Sequence, residues 1–393
     1  MAPATTGSVL PATTGSVLPL AARYTAPFPS ITADHVDASE SWIRNSSQWV
    51  GVGAFRALQR RGELWVKPLR AQPRWAERTS VLRLIRLAAA RRPALEFDLV
   101  YFHHDKDPTP KISSLPLPLF TNAHAAGRAS IPLPDYSWMG WGARTPPWCE
   151  QFPTLAAAAA ATPWEARADR AFFSGGLRSG ASRVALGRLR ERPAAATLLE
   201  LRDVAPAFFS PKRGMNSGRA APLPQAAACG YRYLLSVPGH GYSNRLKSLL
   251  ACGSVVLHVP YPAEEWFVPL LTPGVDYVRL ASVKDVVPAL LALRRNASAA
   301  RAIAAAALAF VQRHLQFDSA VEYTADVLAA YAERWKAGGG GGGGAPTAPY
   351  RRVRSAADTG DVLGLCDCAA PGAQCGRLKC CAGWDCPKAV CES

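Results

Sequence analysis

The chain has 393 residues, 49% of them hydrophobic, which is enough to bury a substantial core and to form two lobes. Its net charge of +16 favours anionic partners such as a nucleotide, an acidic glycan or a membrane surface. No apolar run reaches the roughly 18 residues that span a bilayer, and no nucleic-acid motif with interleaved aromatic residues is visible. We therefore predict neither a transmembrane segment nor a nucleic-acid partner.

The N-terminal stretch, residues 1–29, is predicted to be disordered, because residues 4–19 repeat the low-complexity string ATTGSVLP twice. Residues 1–19 lack the basic start and the apolar block of a secretory signal. Ordered sequence is expected from about Ile31, with Thr32 as the cap of a helix that runs towards Trp49.

Residues 30–165 are predicted to form a first lobe with an acidic turn at the end of a strand. Within it, Val81–Arg91 indicates an amphipathic helix. Residues 97–104, FDLVYFHH, indicate an apolar strand that breaks into the turn DKDP at residues 105–108. Ligand-binding residues of open α/β sheets cluster where strands end, so Asp105 is a candidate site residue.

The two histidines before Asp105 raise the question of a metal site. Adjacent residues of a strand point to opposite faces, so His103 and Asp105 share a face that His104 does not. No further residue follows at a ligand spacing, and we predict no metal here.

An aromatic segment at residues 132–141, PLPDYSWMGW, has the character of a loop. Aromatic faces stack on sugar rings, but they also pack gaps between lobes. Both interpretations of Trp138 and Trp141 stay open, and neither residue is assigned a catalytic role.

Residues 166–336 are predicted to form a second lobe in which two glycine-containing loops each lead into a helix. The first loop follows a strand at residues 171–173 and precedes a helix from Val184. Arg178 and Arg183 flank its Gly/Ser-rich turn.

The second loop follows an apolar strand at residues 233–237. Gly239 and Gly241 supply the backbone freedom of a tight loop. Ser243 is then expected to cap a helix over residues 244–251.

Two cations in the first turn of that helix indicate a bound anion. Helix N-termini normally attract acidic side chains, because their N–H groups make that end positive. Arg245 and Lys247 stand there instead, which is favourable where a phosphate binds. The alternative is a pair of solvated surface cations, and the preceding glycine loop favours the phosphate site.

A linker and a cysteine-rich module follow. Residues 337–360 contain seven consecutive glycines and are predicted to be flexible. Residues 361–393 hold seven of the ten cysteines, which favours a disulfide-stapled module in an oxidising compartment. Zinc is the alternative, although the module has no C-x₂-C pair and no histidine. Sequons at Asn45 and Asn296 are compatible with the secretory route.

The string SNRLK at residues 243–247, followed by LACGS at residues 250–254, resembles the nucleotide-sugar segment of the CAP10-like glycosyltransferases, glycosyltransferase family 90. This family includes Rumi-type protein O-glucosyltransferases and fungal capsule xylosyltransferases. The acidic turn, the PDYSW segment and the loop that ends at Arg183 match in the family's order. The four motifs extend the resemblance over roughly residues 30–335.

The resemblance implies two Rossmann-like α/β lobes that face a cleft, the GT-B arrangement, with the cysteine-rich tail appended. It implies an inverting transfer of glucose or xylose from a UDP-sugar to a hydroxyl of a protein or a polysaccharide, with Asp105 as general base. The groups expected around the diphosphate are Arg183, Gly239, Gly241, Ser243 and Arg245. With these groups stabilising the departing UDP, no metal or other cofactor is expected. Together with the cysteine-rich tail, the resemblance implies a location in the endoplasmic reticulum or Golgi lumen.

The chain departs from the family pattern at three places. Ser174 stands where the family often has an arginine, and Gly274 where it commonly has a bulky residue. The family's catalytic Asp lies shortly before a proline, and Asp107, directly before Pro108, is the alternative to Asp105. We favour Asp105 as the base, because its spacing from Asp98 at the strand start matches the family better. These departures motivate an alternative function, a non-catalytic relative whose tail binds a wall glycan or a protein.

Overall fold

Two β-sheets organise the part of the chain that the structure describes. The structure is a computed structural model, and it describes residues 18–45, 53–70, 80–140, 146–204, 223–336 and 349–354. It is a mixed α/β structure, which confirms that part of the predicted fold. The predictions for Trp49, Trp141, the seven consecutive glycines and the cysteine-rich module lie outside the described residues.

The strands, in chain order, are β1 Ile31–Thr32, β2 Ala54–Arg60, β3 Glu63–Arg70, β4 Phe97–Phe102, β5 Leu119–Thr121, β6 His124–Ala125, β7 Ser130–Pro132, β8 Ala168–Gly175, β9 Leu199–Asp203, β10 Tyr231–Ser236, β11 Val255–His258, β12 Ala263–Glu264, β13 Val278–Arg279, β14 Trp335–Lys336 and β15 Arg351–Val353. The helices are α1 Leu18–Thr25, α2 Ala33–Asn45, α3 Val81–Arg91, α4 Trp148–Ala161, α5 Ala181–Leu189, α6 Pro193–Ala196, α7 Leu246–Leu250, α8 Val286–Arg295, α9 Ala297–His314 and α10 Phe317–Ala332. Among the described residues, no helix combines the length and the apolar character needed to cross a membrane.

The first sheet has the strand order β15-β3-β2-β4-β5-β7 and is mixed. β2 pairs antiparallel with β3 and β4, whereas β4, β5 and β7 run parallel. The turn between β2 and β3 consists of Arg61 and Gly62, whose φ angles are 51° and 74°. Two positive φ angles in a two-residue turn match the twist of an antiparallel hairpin. This sheet therefore differs from the wholly parallel sheet of a Rossmann-like lobe.

The second sheet is wholly parallel, with the strand order β13-β11-β10-β8-β9. It contains the strands that the sequence predicts at residues 171–173 and 233–237, which are β8 and β10. Since parallel strands point the same way, the loops that follow β8, β10 and β11 meet at one edge of the sheet. The residues predicted to bind the diphosphate lie at this edge.

Helix α10 links the two halves of the chain by packing back onto the first sheet. The Tyr331 hydroxyl donates a hydrogen bond of 2.7 Å to the carbonyl of Asp98. The Tyr323 hydroxyl donates one of 2.8 Å to the carbonyl of Pro132. Acidic residues of α10 also form ion pairs with arginines at the end of α3. This helix falls within the predicted second lobe, and it contacts both the first sheet and Trp266, whose ring stacks on Tyr323.

Two segments that the sequence predicts to be without regular structure contain described elements. Helix α1 lies within residues 1–29 and packs into the core through Leu20 and Tyr24. Strand β15 lies within residues 337–360 and pairs antiparallel with β3 at the edge of the first sheet. Ordered structure therefore begins earlier, and continues later, than the sequence indicates.

A disulfide bond between Cys229 and Cys252 joins the starts of two neighbouring strands. Cys229 precedes β10, Cys252 precedes β11, and Tyr233 lies opposite Val255 in the register of these parallel strands. The two cysteine Cα atoms are 4.6 Å apart. Disulfides are predicted from the sequence in the tail, and this pair is not among the predictions. In the sequence, each of these cysteines stands just before one of two successive parallel strands. This matching position is the signal that indicates the disulfide bond.

Candidate functional site

The two glycine loops touch each other at the carboxyl edge of the second sheet. The first glycine loop, residues 176–180, follows β8, and the second glycine loop, residues 237–245, follows β10. A Cβ atom on Gly180, whose φ is +122°, would overlap the carbonyl group of Gly239. A Cβ atom on Gly239 would lie 2.8 Å from the carbonyl oxygen of Ser179. The contact between the loops therefore requires glycine at both positions.

Arg183 and Arg245 converge on one aromatic ring. Their guanidinium carbons lie 5.6 Å and 4.9 Å from the centroid of Phe173 on β8. Arg183 Nε donates a hydrogen bond of 3.1 Å to the carbonyl of Val237, and Arg245 Nη1 donates to the carbonyl of Ser174. The structure thus brings together two arginines that the sequence places on separate glycine loops.

Arg183 and Arg245 are both partly buried, and among the described residues no carboxylate pairs with either charge. Burial lowers the pKa of Arg183 to about 10. Burial, together with the charge of Arg183, lowers the pKa of Arg245 to about 9. Among the described residues, neither group forms an ion pair with Asp or Glu, and Nη2 of Arg245 is buried without a hydrogen-bond partner. A pair of buried cations is costly unless an anion binds between or beside them.

The helix after the second glycine loop is shorter than predicted, and Ser243 does not cap it. Helix α7 begins at Leu246, and Arg245 occupies the N-cap position without a side-chain capping bond. The Asn244 amide instead donates a hydrogen bond of 3.1 Å to the Tyr136 hydroxyl, which holds residues 244–245 in a turn. Ser243 remains beside the site, with its hydroxyl 3.5 Å from Nε of Arg245.

Lys247 points away from Arg245, so the prediction that both cations serve one anion is wrong for Lys247. The residue is 1% exposed, and its Nζ lies 5.2 Å from the ring centroid of Trp138 and 5.6 Å from that of Trp148. It donates hydrogen bonds to the Ser137 hydroxyl and to a backbone carbonyl of the second glycine loop. Lys247 therefore joins the second glycine loop to the PDYSW segment.

Asp105 follows β4 of the first sheet and lies against the second glycine loop. Its backbone carbonyl accepts a hydrogen bond from the backbone amide of Tyr242. A Cβ atom on Gly241 would overlap that same carbonyl oxygen, so this close approach requires glycine. The side chain of Asp105 is 59% exposed. A carboxylate from the first sheet thus stands beside the loop that carries Arg245.

Asp107, the other acidic residue of this turn, has a structural role. It is 8% exposed, and its Oδ1 accepts hydrogen bonds from the amide and the hydroxyl of Thr109 at 3.2 Å and 2.6 Å. Its Oδ2 accepts from the amide of Ala125 at 2.8 Å and from the hydroxyl of Ser130 at 2.6 Å. These four bonds fix the turn and engage both oxygens of the Asp107 carboxylate.

Sequence reasoning assigned no role to several residues that surround Asp105. His103 Nε2 lies 4.0 Å from Oδ1 of Asp105. The Tyr242 hydroxyl donates a hydrogen bond of 2.7 Å to Oδ2 of Asp135, which links the second glycine loop to the PDYSW segment. Burial, and the charges of Asp105 and Asp135, raise the pKa of Tyr136 well above its usual value, so this phenol stays protonated.

Trp138 packs in the hydrophobic core and is not available for stacking on a sugar. Its side chain is fully buried, with ring centroids 5.8 Å from both Trp148 and Trp266. Of the two interpretations that the sequence left open, packing is the one that the structure supports for this residue. Among the described residues, no group of three or more His, Cys, Asp or Glu side chains is arranged to hold a metal ion.

Comparison with known proteins gives a consistent result. The model of the family described as Glycosyl transferase family 90 matches residues 64–338. The chain is 27% identical over 250 residues to Protein O-glucosyltransferase 1 of Rattus norvegicus, and 26% identical over 250 residues to the Homo sapiens protein of that name. Each of these alignments covers 61% of this chain and 62% of the relative. The chain is also 31% identical over 178 residues to the O-glucosyltransferase rumi homolog of Anopheles gambiae, which covers 44% of each protein.

Proposed function

This chain belongs to glycosyltransferase family 90, and we propose that it transfers glucose or xylose from a UDP-sugar to a hydroxyl group of a protein or polysaccharide, with inversion at the sugar carbon. The names of the similar proteins describe O-glucosyltransferases, which favours glucose as the sugar and a protein as the acceptor. The chain spans 62% of the length of the mammalian relatives it matches, so donor and acceptor are part of this proposal.

In the proposed reaction Asp105 is the general base. Its carboxylate takes the proton of the acceptor hydroxyl as the hydroxyl oxygen attacks C1 of the sugar. The bond between C1 and the diphosphate oxygen breaks, and its electron pair leaves with UDP. Attack on the face opposite the leaving group inverts the configuration at C1.

Arg183 and Arg245 stabilise the negative charge on the departing diphosphate, assisted by the amides of the second glycine loop and by the Ser243 hydroxyl. Fixed positive groups aimed at developing charge are effective in a site from which water is excluded. Because two cations are already held in place, we expect no requirement for a metal ion. The single observation that carries this proposal is the pair of partly buried arginines that converge on Phe173 without carboxylate partners among the described residues, beside an exposed carboxylate from the other sheet.

We further propose that the two sheets belong to the facing lobes of a GT-B enzyme that works in the secretory pathway. The contact between the Asp105 turn and the second glycine loop supports a site between the sheets. The disulfide bond between Cys229 and Cys252 supports an oxidising compartment.

The proposed function is tested by measuring UDP binding by calorimetry and UDP release from UDP-glucose and UDP-xylose with the purified chain. We expect binding of UDP and release from at least one of the two donors. Arg245→Ala is the matched control for UDP binding, because this variant loses one proposed contact to the diphosphate and keeps the Asp105 carboxylate. Absence of UDP binding to the folded wild-type chain would contradict the proposal and favour the non-catalytic alternative.

A further inference from the structure

Three successive residues of the PDYSW segment each accept a hydrogen bond from a side chain of residues 242–247. The three bonds form a clasp, and they run from Tyr242 to Asp135 at 2.7 Å, from Asn244 to Tyr136 at 3.1 Å and from Lys247 to Ser137. The accepting segment follows β7 of the first sheet, and the donating residues follow β10 of the second. The clasp therefore ties the chain on both sides of Arg245 to the PDYSW segment.

The accepting side of the clasp is fixed by hydrogen bonds of its own. Asp135 is 1% exposed and Ser137 is 5% exposed. Oδ1 of Asp135 accepts hydrogen bonds from the amide of Ser137, at 2.9 Å, and from its hydroxyl. Since the Ser137 hydroxyl has only one hydrogen and donates it to Asp135, it meets Lys247 as an acceptor. The positions and directions of these acceptors are thus set within the PDYSW segment.

Lys247 occupies a position where packing alone does not require a charge. Its Nζ is buried beside two tryptophan rings. Burying an ammonium group is costly unless it is hydrogen-bonded, and apolar residues of similar volume often replace buried charges without loss of stability. Lys247 Nζ donates to the Ser137 hydroxyl and, at 3.2 Å, to the carbonyl of Asn244, the residue next to Arg245. These bonds therefore specify the position of the chain beside Arg245 more than they stabilise the fold.

Arg245 lies between the anchored residues, and its side chain has a further bond from Nη1 to the carbonyl of Ser174. Tyr242, which donates one bond of the clasp, also donates its backbone amide to the carbonyl of Asp105 at 3.0 Å. The same short stretch of chain therefore relates Arg245 to the proposed base. A change that opens the clasp lets Arg245 move relative to Asp105 without removing either side chain.

We propose that the clasp positions Arg245 for the departing diphosphate, which makes Tyr242 and Lys247 positioning residues of the reaction. They act through Arg245 rather than through contact with the substrate. This inference rests on the proposed function, because it assumes that the diphosphate binds at Arg245. A guanidinium group displaced by a distance on the order of 1 Å still attracts a bound diphosphate, but it meets the charge that develops in the transition state less well.

The test is a double-mutant cycle on the full chain. The quantity measured is kcat for UDP release from the preferred UDP-sugar, with slow variants followed in single turnovers with excess enzyme. In the wild-type background we expect Tyr242→Phe and Lys247→Met each to lower kcat by roughly tenfold. UDP affinity, measured by calorimetry, is expected to stay within about threefold, because the bound ground state tolerates the displacement.

In the Arg245→Met background the same two substitutions are expected to lower kcat by no more than about twofold, because the group that they position is already absent. A merely structural role would lower kcat by the same factor in both backgrounds. The comparison of backgrounds therefore separates positioning of Arg245 from a general loss of stability.

Tyr331→Phe is the matched control for Tyr242→Phe. Each substitution removes one phenol hydroxyl that donates a hydrogen bond of 2.7 Å, but Tyr331 donates to the carbonyl of Asp98, at the start of β4 and outside the clasp. We expect Tyr331→Phe to lower Tm and to leave kcat within about twofold of the wild-type value.

Equal losses of kcat in the two backgrounds would overturn the inference, as would wild-type kcat in both Tyr242→Phe and Lys247→Met. Either result leaves the proposed function intact. If Lys247→Met does not fold, Tyr242→Phe decides the question. A wild-type chain that neither binds UDP nor releases it from a UDP-sugar would overturn the proposed function, and the inference with it.

Discussion

The backbone carbonyl of Asp105 accepts a hydrogen bond of 3.0 Å from the backbone amide of Tyr242. This bond joins the end of β4 in the first sheet to the glycine loop that carries Arg245 in the second. The proposed base is thereby tied to the proposed leaving-group site by a bond between main-chain atoms. Substitutions of the Asp105 side chain therefore leave this contact in place, whereas changes in the loop disturb it.

Gly241→Ala is expected to reduce UDP-sugar turnover by about 100-fold, because the added methyl group displaces the Asp105 turn by a distance on the order of 1 Å. The measurement is kcat for UDP release, with circular dichroism to establish that the variant is folded. Gly230→Ala is the matched control, since nothing lies within 4 Å of a Cβ atom at that position. Wild-type turnover in Gly241→Ala would show that the close approach of Gly241 to the Asp105 carbonyl is not needed for the reaction.

Arg245→Met is expected to weaken UDP binding by roughly 10- to 100-fold, which is the effect of losing charge-assisted hydrogen bonds. The same variant should have a Tm equal to or above that of the wild-type chain without ligand, because it removes a buried charge that has no carboxylate partner. Calorimetry and thermal unfolding measure the two effects. Arg170→Met, which breaks a 2.7 Å ion pair with Glu200 on β8 and β9, should leave UDP binding unchanged. A large loss of stability in Arg245→Met would mean that this arginine holds the fold together.

Glu265→Gln is expected to stabilise the chain progressively more as pH rises from 5 to 8. The folded pKa of Glu265, about 8, exceeds its ordinary value of 4.5, so the neutral acid is favoured in the fold. Its contribution to stability is fully present below pH 4.5 and is lost as pH rises through about 8. The groups that face it are Lys247, which opposes the shift, and Asp135, Tyr136 and Tyr242. If the difference in Tm between Glu265→Gln and the wild-type chain did not change with pH, the raised pKa of Glu265 in the fold would be contradicted.

Replacing both Cys229 and Cys252 with alanine is expected to lower the free energy of unfolding by about 3 kcal/mol. The reason is that the bond closes a loop between residues separated by 23 positions, which restricts the unfolded chain. Urea unfolding of the double variant, beside the wild-type chain with and without reductant, measures the effect. Unchanged stability on reduction would show that the bond contributes little.

Local patterns in the sequence place the strand ends and the glycine loops of the candidate site, but not the helix starts, since Arg183 lies inside α5 and α7 begins only after Arg245. An apolar run predicts the strand that ends before Asp105, and turn residues predict the glycine loops beside Arg183 and Arg245. Both are short-range signals. Lys247 shows the limit of such signals. Its place in the first helical turn predicts a position near Arg245, but the direction of its side chain is set by Trp138 and Trp148, which come from elsewhere in the chain.

Features that depend on long-range pairing were not predicted. The addition of β15 to the edge of β3, and the return of α10 to the first sheet, bring together residues that are far apart in sequence. Strand alternation predicts His103 and Asp105 on the same face, and Nε2 of His103 lies 4.0 Å from Oδ1 of Asp105, but the sequence indicates no role for His103 other than the rejected one of metal ligand. The disulfide bond between Cys229 and Cys252 required the strand register to be known.

The central claim is that Asp105, and not Asp107, is the base that activates the acceptor. The most direct measurement is UDP release from the preferred UDP-sugar by Asp105→Asn, with UDP affinity measured on the same sample. We predict that turnover falls by at least about 100-fold while UDP affinity is retained. Asp107→Asn, which disturbs four hydrogen bonds, should lower Tm and leave the folded fraction active. Wild-type turnover in Asp105→Asn would contradict the account.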